Sequence, residues 1–522
     1  MQSTTGVSKT LILILNRFFL FYSILIFQPA YSNEKLDILF NKISSTEFVE
    51  ISRLLYLLDE QKRKPKSFYL STEITLYSEL EAMLSQNTPD NRCRFPARYS
   101  WLKKVTQLNR KFSVDHCFNE KSANPLKSNQ LEVSLIFASA TNQTPMSFFG
   151  HIFINYEFGI GDPYFSHTFS FTADTQSSQS SIETIRQGIN GGFQGRYRED
   201  VFHPIIEKYT KVESRQLISV NLNLSRNEAT SLYFHLIELK NITYPYKFFS
   251  TNCSTEIYEA LYASYILKTR KPGFKIYPID TLKSAIKTIT PEIMEATIYY
   301  SDEETKNSER IIKKIENSLN LYPRKFGIEY VSGKDRSARK ITLRPGYNSI
   351  DSPNNSRLSN GNSLIFFETS LIKTKNSFKL QEIKPLEIES LKAKNIINYI
   401  NTSWSIGSTF KRDLNGQGSL SDLSWGSFGL SFATPNLILS AQPNIKTSAK
   451  ESNTKLSIES KIYLTYGPIL LSMTHNPKNS LKTEAKKPLK IDLKYKIDKR
   501  LQLEIQRNVR ADTFHAGISV FF

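Results

Sequence analysis

The spacing of hydrophobic and polar positions changes character twice along the 522 residues. From Asn33 to about Asn129 the period is helical. Ser44-Ser45-Thr46-Glu47 forms a capping box ahead of Phe48, Ile51, Leu54, Leu55 and Leu58, and a second amphipathic run extends from Ile74 to Leu84. From Leu131 apolar residues alternate instead. Leu131 to Ala138 predicts a strand, Thr144-Pro145-Met146-Ser147 a turn, and Gly150 to Tyr156 a second strand. On that second strand Ile152, Ile154 and Tyr156 share one face, and His151, Phe153 and Asn155 share the other. Phe165 to Thr172 predicts a third strand, with His167, Phe169 and Phe171 on one side. The glycine-rich stretch Gly188 to Gly195 lacks the strand-then-helix spacing of a phosphate cradle and predicts a surface or lid loop. Ile205 to Leu224 predicts further strand. Ser225-Arg226-Asn227-Glu228 then caps a helix carrying Leu232, Tyr233, Leu236, Ile237 and Leu239.

Pro272, Pro278 and a charged helix near Ser308 to Leu319 mark a linker, and beyond it the alternation is almost continuous. Ser363 to Leu371, Ile400 to Phe410, Leu423 to Ala433, Lys455 to Tyr466, Leu489 to Ile497, Leu501 to Gln506 and Thr513 to Phe522 all predict strands. On the last, Phe514, Ala516, Ile518, Val520 and the terminal Phe522 share one face. This ending resembles the closing strand of bacterial outer-membrane β-barrels, whose strands alternate apolar-out and polar-in. A soluble β-sandwich is the competing architecture.

Composition narrows the compartment. Lys9, the apolar run Leu11 to Phe27 and the small-residue exit Ala30-Tyr31-Ser32 have the layout of a secretory signal peptide cleaved after Ser32. No other apolar run is long enough for a helical span, which excludes a polytopic helical membrane protein. The formal charge is +19, and removing Lys9 and Arg17 leaves +17. In an exported chain this excess suits an anionic membrane surface, and nucleic acid is not expected as a partner. In an oxidising compartment Cys93 and Cys117 are expected to bridge, closing a short loop worth about 3 kcal/mol, and Cys253 is left as the odd thiol.

Cys253 follows Asn252, a good N-cap, and so falls in the first turn of a predicted helix, where unsatisfied N–H groups favour a thiolate. No G-x-S-x-G elbow is present, and the seven histidines lack paired ligand spacing, so no metal and no cofactor is expected. A Cys253/His151 pair for nucleophilic catalysis remains, with the Cys253 N–H as oxyanion donor. His167, Asn155 and Ser170 are the candidates for orienting the imidazole. His235, inside an amphipathic helix, is expected to be structural, and His203 to lie in a loop.

Thr144-Pro145-Met146-Ser147-Phe148-Phe149-Gly150-His151-Ile152-Phe153, the strand from Ser166 to Ala173, Gly191 to Tyr197, and Phe249-Ser250-Thr251-Asn252-Cys253-Ser254 resemble the periplasmic domain of the Lnb family. The resemblance covers about Leu131 to Lys287 and extends to permuted NlpC-type and lecithin:retinol acyltransferase-like thiol enzymes. It implies Cys253 as nucleophile and His151 as base. His167 and Ser170 stand where relatives tend to carry Tyr and Asn, and the family members tied to lipoprotein N-acylation continue as transmembrane helices rather than strands. The expected fold is α+β: a signal peptide (1–32), a helical region (33–130), a permuted papain-like domain (131–290), a linker helix (291–330) and a β-rich, barrel-like domain (331–522). The expected activity is a thiol acyltransferase at the periplasmic side of the outer membrane. It would take an acyl chain from a membrane lipid through a Cys253 acyl-enzyme to an amine, with a lipoprotein as the first candidate acceptor. The alternatives are a cysteine amidase or peptidase acting on cell-wall peptides, and a non-catalytic barrel protein of transport or assembly.

Overall fold

A computed structural model of the chain describes residues 34–59, 63–108, 110–118, 131–139, 150–159, 166–175, 181–213, 215–268, 277–289, 296–300, 303–306, 324–333, 336–348, 362–373, 377–397, 399–412, 420–434, 436–447, 455–475, 489–498, 500–509 and 512–522. The signal peptide, the Thr144 to Ser147 turn, Pro272 and the charged helix near Ser308 lie outside them.

The N-terminal region consists of α1 (Glu34–Lys42), α2 (Ser45–Leu54), α3 (Leu76–Ser85), α4 (Pro89–Arg94) and α5 (Pro96–Thr106). The capping box of α2 forms as expected: Glu47 N–H donates to Ser44 Oγ at 3.3 Å, and Ser44 N–H donates back to the Glu47 carboxylate at 2.9 Å. Between α4 and a short 3₁₀ turn, Asp115–Phe118, a disulfide joins Cys93 to Cys117.

Next come β1 (Glu132–Ala138), β2 (His151–Glu157), β3 (His167–Ala173), α6 (Ser181–Asn190), β4 (Phe193–Val201), α7 (Phe202–Glu207) and β5 (Leu217–Asn221). They are followed by α8 (Arg226–Lys240), β6 (Thr243–Tyr246), α9 (Cys253–Ala263), α10 (Pro278–Ile289), β7 (Ala296–Tyr300) and β8 (Glu303–Lys306). The strands form one sheet, in the order β6-β4-β3-β2-β1-β5-β7-β8. One face carries Leu135, Phe137, Ile152, Ile154 and Phe169, and it shares a single core with α8, α9, α10 and the N-terminal helices. The opposite face carries Ile136, Ala138 and Phe153 and is covered by Phe202 and Ile206 of α7.

That common core ties the helical region to the sheet domain, and a buried charge cluster pins the junction. Arg98 of α5 bonds Glu79 of α3 at 2.5 Å and Glu238 of α8 at 3.0 Å, with all three side chains sealed from solvent. Leaving any one of these charges unpaired would cost about 3–5 kcal/mol.

Three sequence expectations are corrected here. The glycine-rich stretch is not a lid: Gly188 closes α6 and Gly192 leads straight into β4. A Cβ on Gly188 would lie 2.3 Å from the Phe248 ring, and one on Gly195 2.5 Å from the Phe171 ring, so these glycines permit close packing. Ile205 to Leu224 is strand only from Leu217; before it, α7 continues as a π-helical turn, Lys208–Val212. Phe202, Ile206 and Thr210 are buried four residues apart, a helical period that the shorter alternation around them obscured. The stretch expected to be linker contributes β7 and β8 to the sheet.

The C-terminal strands are β9 (Lys325–Gly333), β10 (Arg336–Arg344), β11 (Gly346–Asn348), β12 (Asn362–Lys373), β13 (Phe378–Ile397), β14 (Ile400–Lys411) and β15 (Ser421–Ala433). After them come β16 (Leu437–Thr447), β17 (Lys455–Tyr466), β18 (Ile469–His475), β19 (Leu489–Lys496), β20 (Leu501–Asn508) and β21 (Thr513–Phe521). Each pairs antiparallel with its neighbour, β21 pairs with β9, and β10 pairs with β12, so twelve strands close a barrel with β11 as an appendage to β12. Closure leaves no free sheet edge.

The outward face is apolar: Leu456, Ile458, Ile462 and Leu464 on β17, and Phe514, Ile518, Val520 and Phe522 on or beside β21, are all exposed. The residues between them point inward and are mostly polar, as in Ser457, Glu459 and Lys461. Such a belt is stable only against lipid.

The interior is filled by ion pairs. Lys461 of β17 meets Glu389 of β13, with three strands of the wall between them, and Tyr463 Oη donates to the same carboxylate at 3.1 Å. Glu329 is paired with Lys340 at 3.4 Å and His515 at 3.3 Å, while Lys325 meets Glu504 and Arg344 meets Glu368. Near them Leu391, Ala433, Ile438 and Leu470 form a small buried apolar cluster.

Candidate functional site

Asn252 caps α9 as the sequence predicts. Its Oδ1 accepts from Thr255 N–H at 2.9 Å, its own N–H donates to Thr255 Oγ1 at 2.8 Å, and its Nδ2 donates to the Phe248 carbonyl at 2.7 Å. With this role Asn252 is a helix cap that sets the position of the next residue, Cys253. That thiol is free and buried. Burial pushes it up to about 11, against the opposing pull of backbone N–H groups from Ile152, Ser254 and Cys253 itself and of the Arg215 charge.

His151 opens β2 opposite Ala138, on the sheet face of Phe153. Its ring stacks on Tyr209, with centroids 6.2 Å apart. Although part of the residue reaches the surface, burial of the ring, with Arg215 and Lys208 nearby, pushes its imidazole down to about 3. The helix bearing Cys253 packs on the other face, with Ile152 and Ile154. Among the described residues no hydrogen bond joins the two side chains. The thiol meets the backbone N–H of Ile152, the residue after His151, and Tyr209 and Arg215 stand beside both groups.

His167 lies farther off. It pairs across the sheet with Tyr156, at the far end of β2 from His151 and on the opposite face, a separation of roughly 16 Å along the strand. Its Nδ1 faces Glu199 Oε1 at 3.1 Å, and Glu199 also meets Lys240. Against the upward push of burial, these two partners hold Glu199 down to about 2. Asn155 accepts from Ser166 Oγ at 2.9 Å, and Ser170 is buried on β3. His235 is buried with Nε2 2.9 Å from Tyr56 Oη, and His203 sits exposed on α7 rather than in a loop.

Four residues around the site carry no sequence motif. Arg215 donates to the carbonyls of Ser139 at 2.6 Å and Ala138 at 3.1 Å, bonds Glu213 at 2.9 Å and covers the Tyr209 ring. Glu256, one turn after Cys253, meets Lys64 from the helical region and the Tyr244 hydroxyl. These contacts join residues up to 192 positions apart, which no local pattern reveals.

Residues 120–288 are an Lnb N-terminal periplasmic domain. The Lnb domain therefore begins in the connection after the disulfide and ends in α10. No curated protein matches the chain. Among solved structures, a KdgM porin is 13% identical over 38% of this chain and 99% of its own, with a TM-score of 0.26. A KdgM porin in complex with disordered oligogalacturonate is 11% identical over 38% and 99%, with a TM-score of 0.25. A triple mutant of the Rhodopseudomonas blastica porin is 8% identical over 38% and 98%, with a TM-score of 0.17. Likeness this distant adds nothing to what the strand pairing establishes. A periplasmic Lnb domain followed by a closed barrel with an apolar outer belt makes this an exported protein of the outer membrane.

The thiol acyltransferase expected from the sequence, and the related amidase, are corrected. The Cys93–Cys117 disulfide withdraws two of the three cysteines from thiol chemistry. The third is held as a neutral thiol: burial outweighs the helix-start effect that favours thiolate. Burial holds the imidazole neutral as well, so both partners oppose transfer of the proton. A Cys253 acyl-enzyme does not follow from this arrangement.

Proposed function

We propose that this protein is a non-catalytic outer-membrane barrel protein of the transport or assembly class, whose Lnb domain binds without turnover. The observation that carries this reading is the joint between domain and barrel. Arg324, which leads into β9, bonds Asp280 of α10 at 2.7 Å, and Tyr277 Oη donates to the Pro345 carbonyl at 2.6 Å. Phe249, four residues before Cys253, stacks on Phe366 of β12 with centroids 4.1 Å apart. The domain is thus held at one mouth of the barrel by contacts on both sides of the thiol-bearing helix. The Lnb domain is a periplasmic one, which sets this mouth on the periplasmic side.

In this reading outer-membrane lipid surrounds the belt, and the partner of the domain is an exported protein, with a lipoprotein as the first candidate to be held. The test is complementation of a deletion strain, read as outer-membrane barrier function by sensitivity to a bulky antibiotic. Cys253→Ala at normal abundance is expected to restore the barrier fully, and a chain truncated before Ser363 is expected to fail. A Cys253→Ala chain that behaves like the deletion would sink this reading.

A further inference from the structure

Remote from the Lnb site, the disulfide has a third member. His116 Nε2 lies 3.4 Å from Cys93 Sγ and 3.6 Å from Cys117 Sγ, so a single ring nitrogen faces both sulfurs of the bridge. The three ligand atoms all fall within 4.8 Å of one another, with His116 exposed and the cysteines half-buried. We propose that reduction of the Cys93–Cys117 bridge converts this corner into a zinc site with Cys93, His116 and Cys117 as its three protein ligands.

The corner already has the dimensions of such a site. Zinc–sulfur and zinc–nitrogen bonds of about 2.3 and 2.0–2.1 Å at a tetrahedral angle set sulfur–nitrogen edges of about 3.5 Å. Both observed separations already match that edge. The remaining edge, sulfur to sulfur, must open to about 3.8 Å. Rotation of the two side chains supplies this, since the Cα atoms stand 5.2 Å apart and need move little.

The backbone also holds its place without the bridge. Phe112, Val114 and Phe118 bracket His116 and Cys117 and are buried in the common core, and Phe118 stacks on Phe234 of α8 with centroids 5.0 Å apart. On the other strand of the corner, α4 is capped by Thr88, whose side chain accepts from Asn91 N–H at 3.2 Å, and Arg94 donates to the Ser67 carbonyl at 3.1 Å. Reduction therefore leaves the three ligands facing one another.

The chemistry balances with a periplasmic dithiol as reductant. One thiolate of the dithiol attacks a bridge sulfur, the Cys93–Cys117 bond breaks, and the reductant leaves as its own disulfide while both cysteines gain a proton. Zinc then displaces those two protons, and the uncharged His116 ring supplies Nε2. The fourth position faces solvent and is open to water or to a donor from a partner.

The full chain in detergent micelles, oxidised or reduced with a phosphine, is titrated with Co²⁺ as a spectroscopic stand-in and with Zn²⁺ in competition. The reduced protein is expected to bind one Co²⁺ with thiolate-to-cobalt charge transfer in the near ultraviolet and tetrahedral visible bands, both lost on adding zinc. The oxidised protein is expected to show neither. His116→Ala keeps the bridge and is expected to weaken binding by the reduced chain at least about tenfold. A reduced wild-type chain without charge-transfer bands, a His116→Ala chain that binds as tightly as wild type, or loss of the native far-ultraviolet spectrum on reduction would each overturn the assignment.

Discussion

At the scale of single residues, burial decides the chemistry more than sequence neighbours do. Cys253 occupies the helix-start position that favours a thiolate, yet its thiol is pushed up to about 11 because solvent is excluded. The same exclusion keeps His151 neutral down to about 3. That depression has a consequence for stability. A histidine whose folded value lies below its ordinary 6.5 contributes stability that is complete above 6.5 and is lost as pH falls toward 3, because the unfolded chain takes up the proton first. The melting temperature of the purified chain is accordingly expected to fall between pH 6.5 and 4, with a slope of at most roughly 1.4 kcal/mol per pH unit from this group. His151→Gln should flatten that part of the profile in a thermal-melt series. An unchanged slope would mean that other groups control the acid limb. The sequence shows which residues are histidine and cysteine, but the solvent each one sees is set by elements far away in the chain.

Elements were legible where a local rule governs them. The capping boxes at Ser44 and Ser225 and the cap at Asn252 form as the sequence indicates, since each satisfies donors within three residues. The stretch from Gly188 to Gly195 was not legible as helix and strand. Glycine lowers the local preference for both, and only the rings of Phe248 and Phe171, brought in by other elements, require it. This yields a second prediction: Gly188→Ala is expected to destabilise the chain by about 1–3 kcal/mol, measured as a lowered denaturation midpoint, because its Cβ would meet the Phe248 ring. Alanine is otherwise the better helix former, so a stabilised variant would show that the ring can move aside. The apolar pattern does not predict β9, β10, β13, β16 or β18; Lys, Glu, Pro or Asn interrupts it in β10, β13 and β16, and β18 is only seven residues long. Inside a closed barrel such residues face one another and pair, so they cost the strand little.

At the scale of the whole molecule, two bodies meet at one joint. The helical region and the Lnb domain share a core from Leu36 to Ile298, and the barrel follows through Arg324 and Tyr277. The barrel interior is crossed by the Glu389, Lys461 and Tyr463 cluster. For a transport role this cluster is the gate to remove. The wild-type chain in planar lipid bilayers is expected to conduct weakly, and a Glu389→Ala, Lys461→Ala double variant to conduct severalfold better. Equal conductance would favour assembly over transport and locate the barrier elsewhere in the lumen.

By itself the sequence determined the alternating barrel strands, the apolar face ending at Phe522, the helix caps and the pairing of Cys93 with Cys117, because each depends on spacing within a short segment. Only the tertiary structure decided that twelve strands close, that the helical region and sheet share one core, and that burial holds Cys253 and His151 in protonation states unsuited to an acyl-enzyme. These are properties of enclosure. They arise when residues far apart in the chain exclude water together, and no window along the sequence contains both sides of that contact.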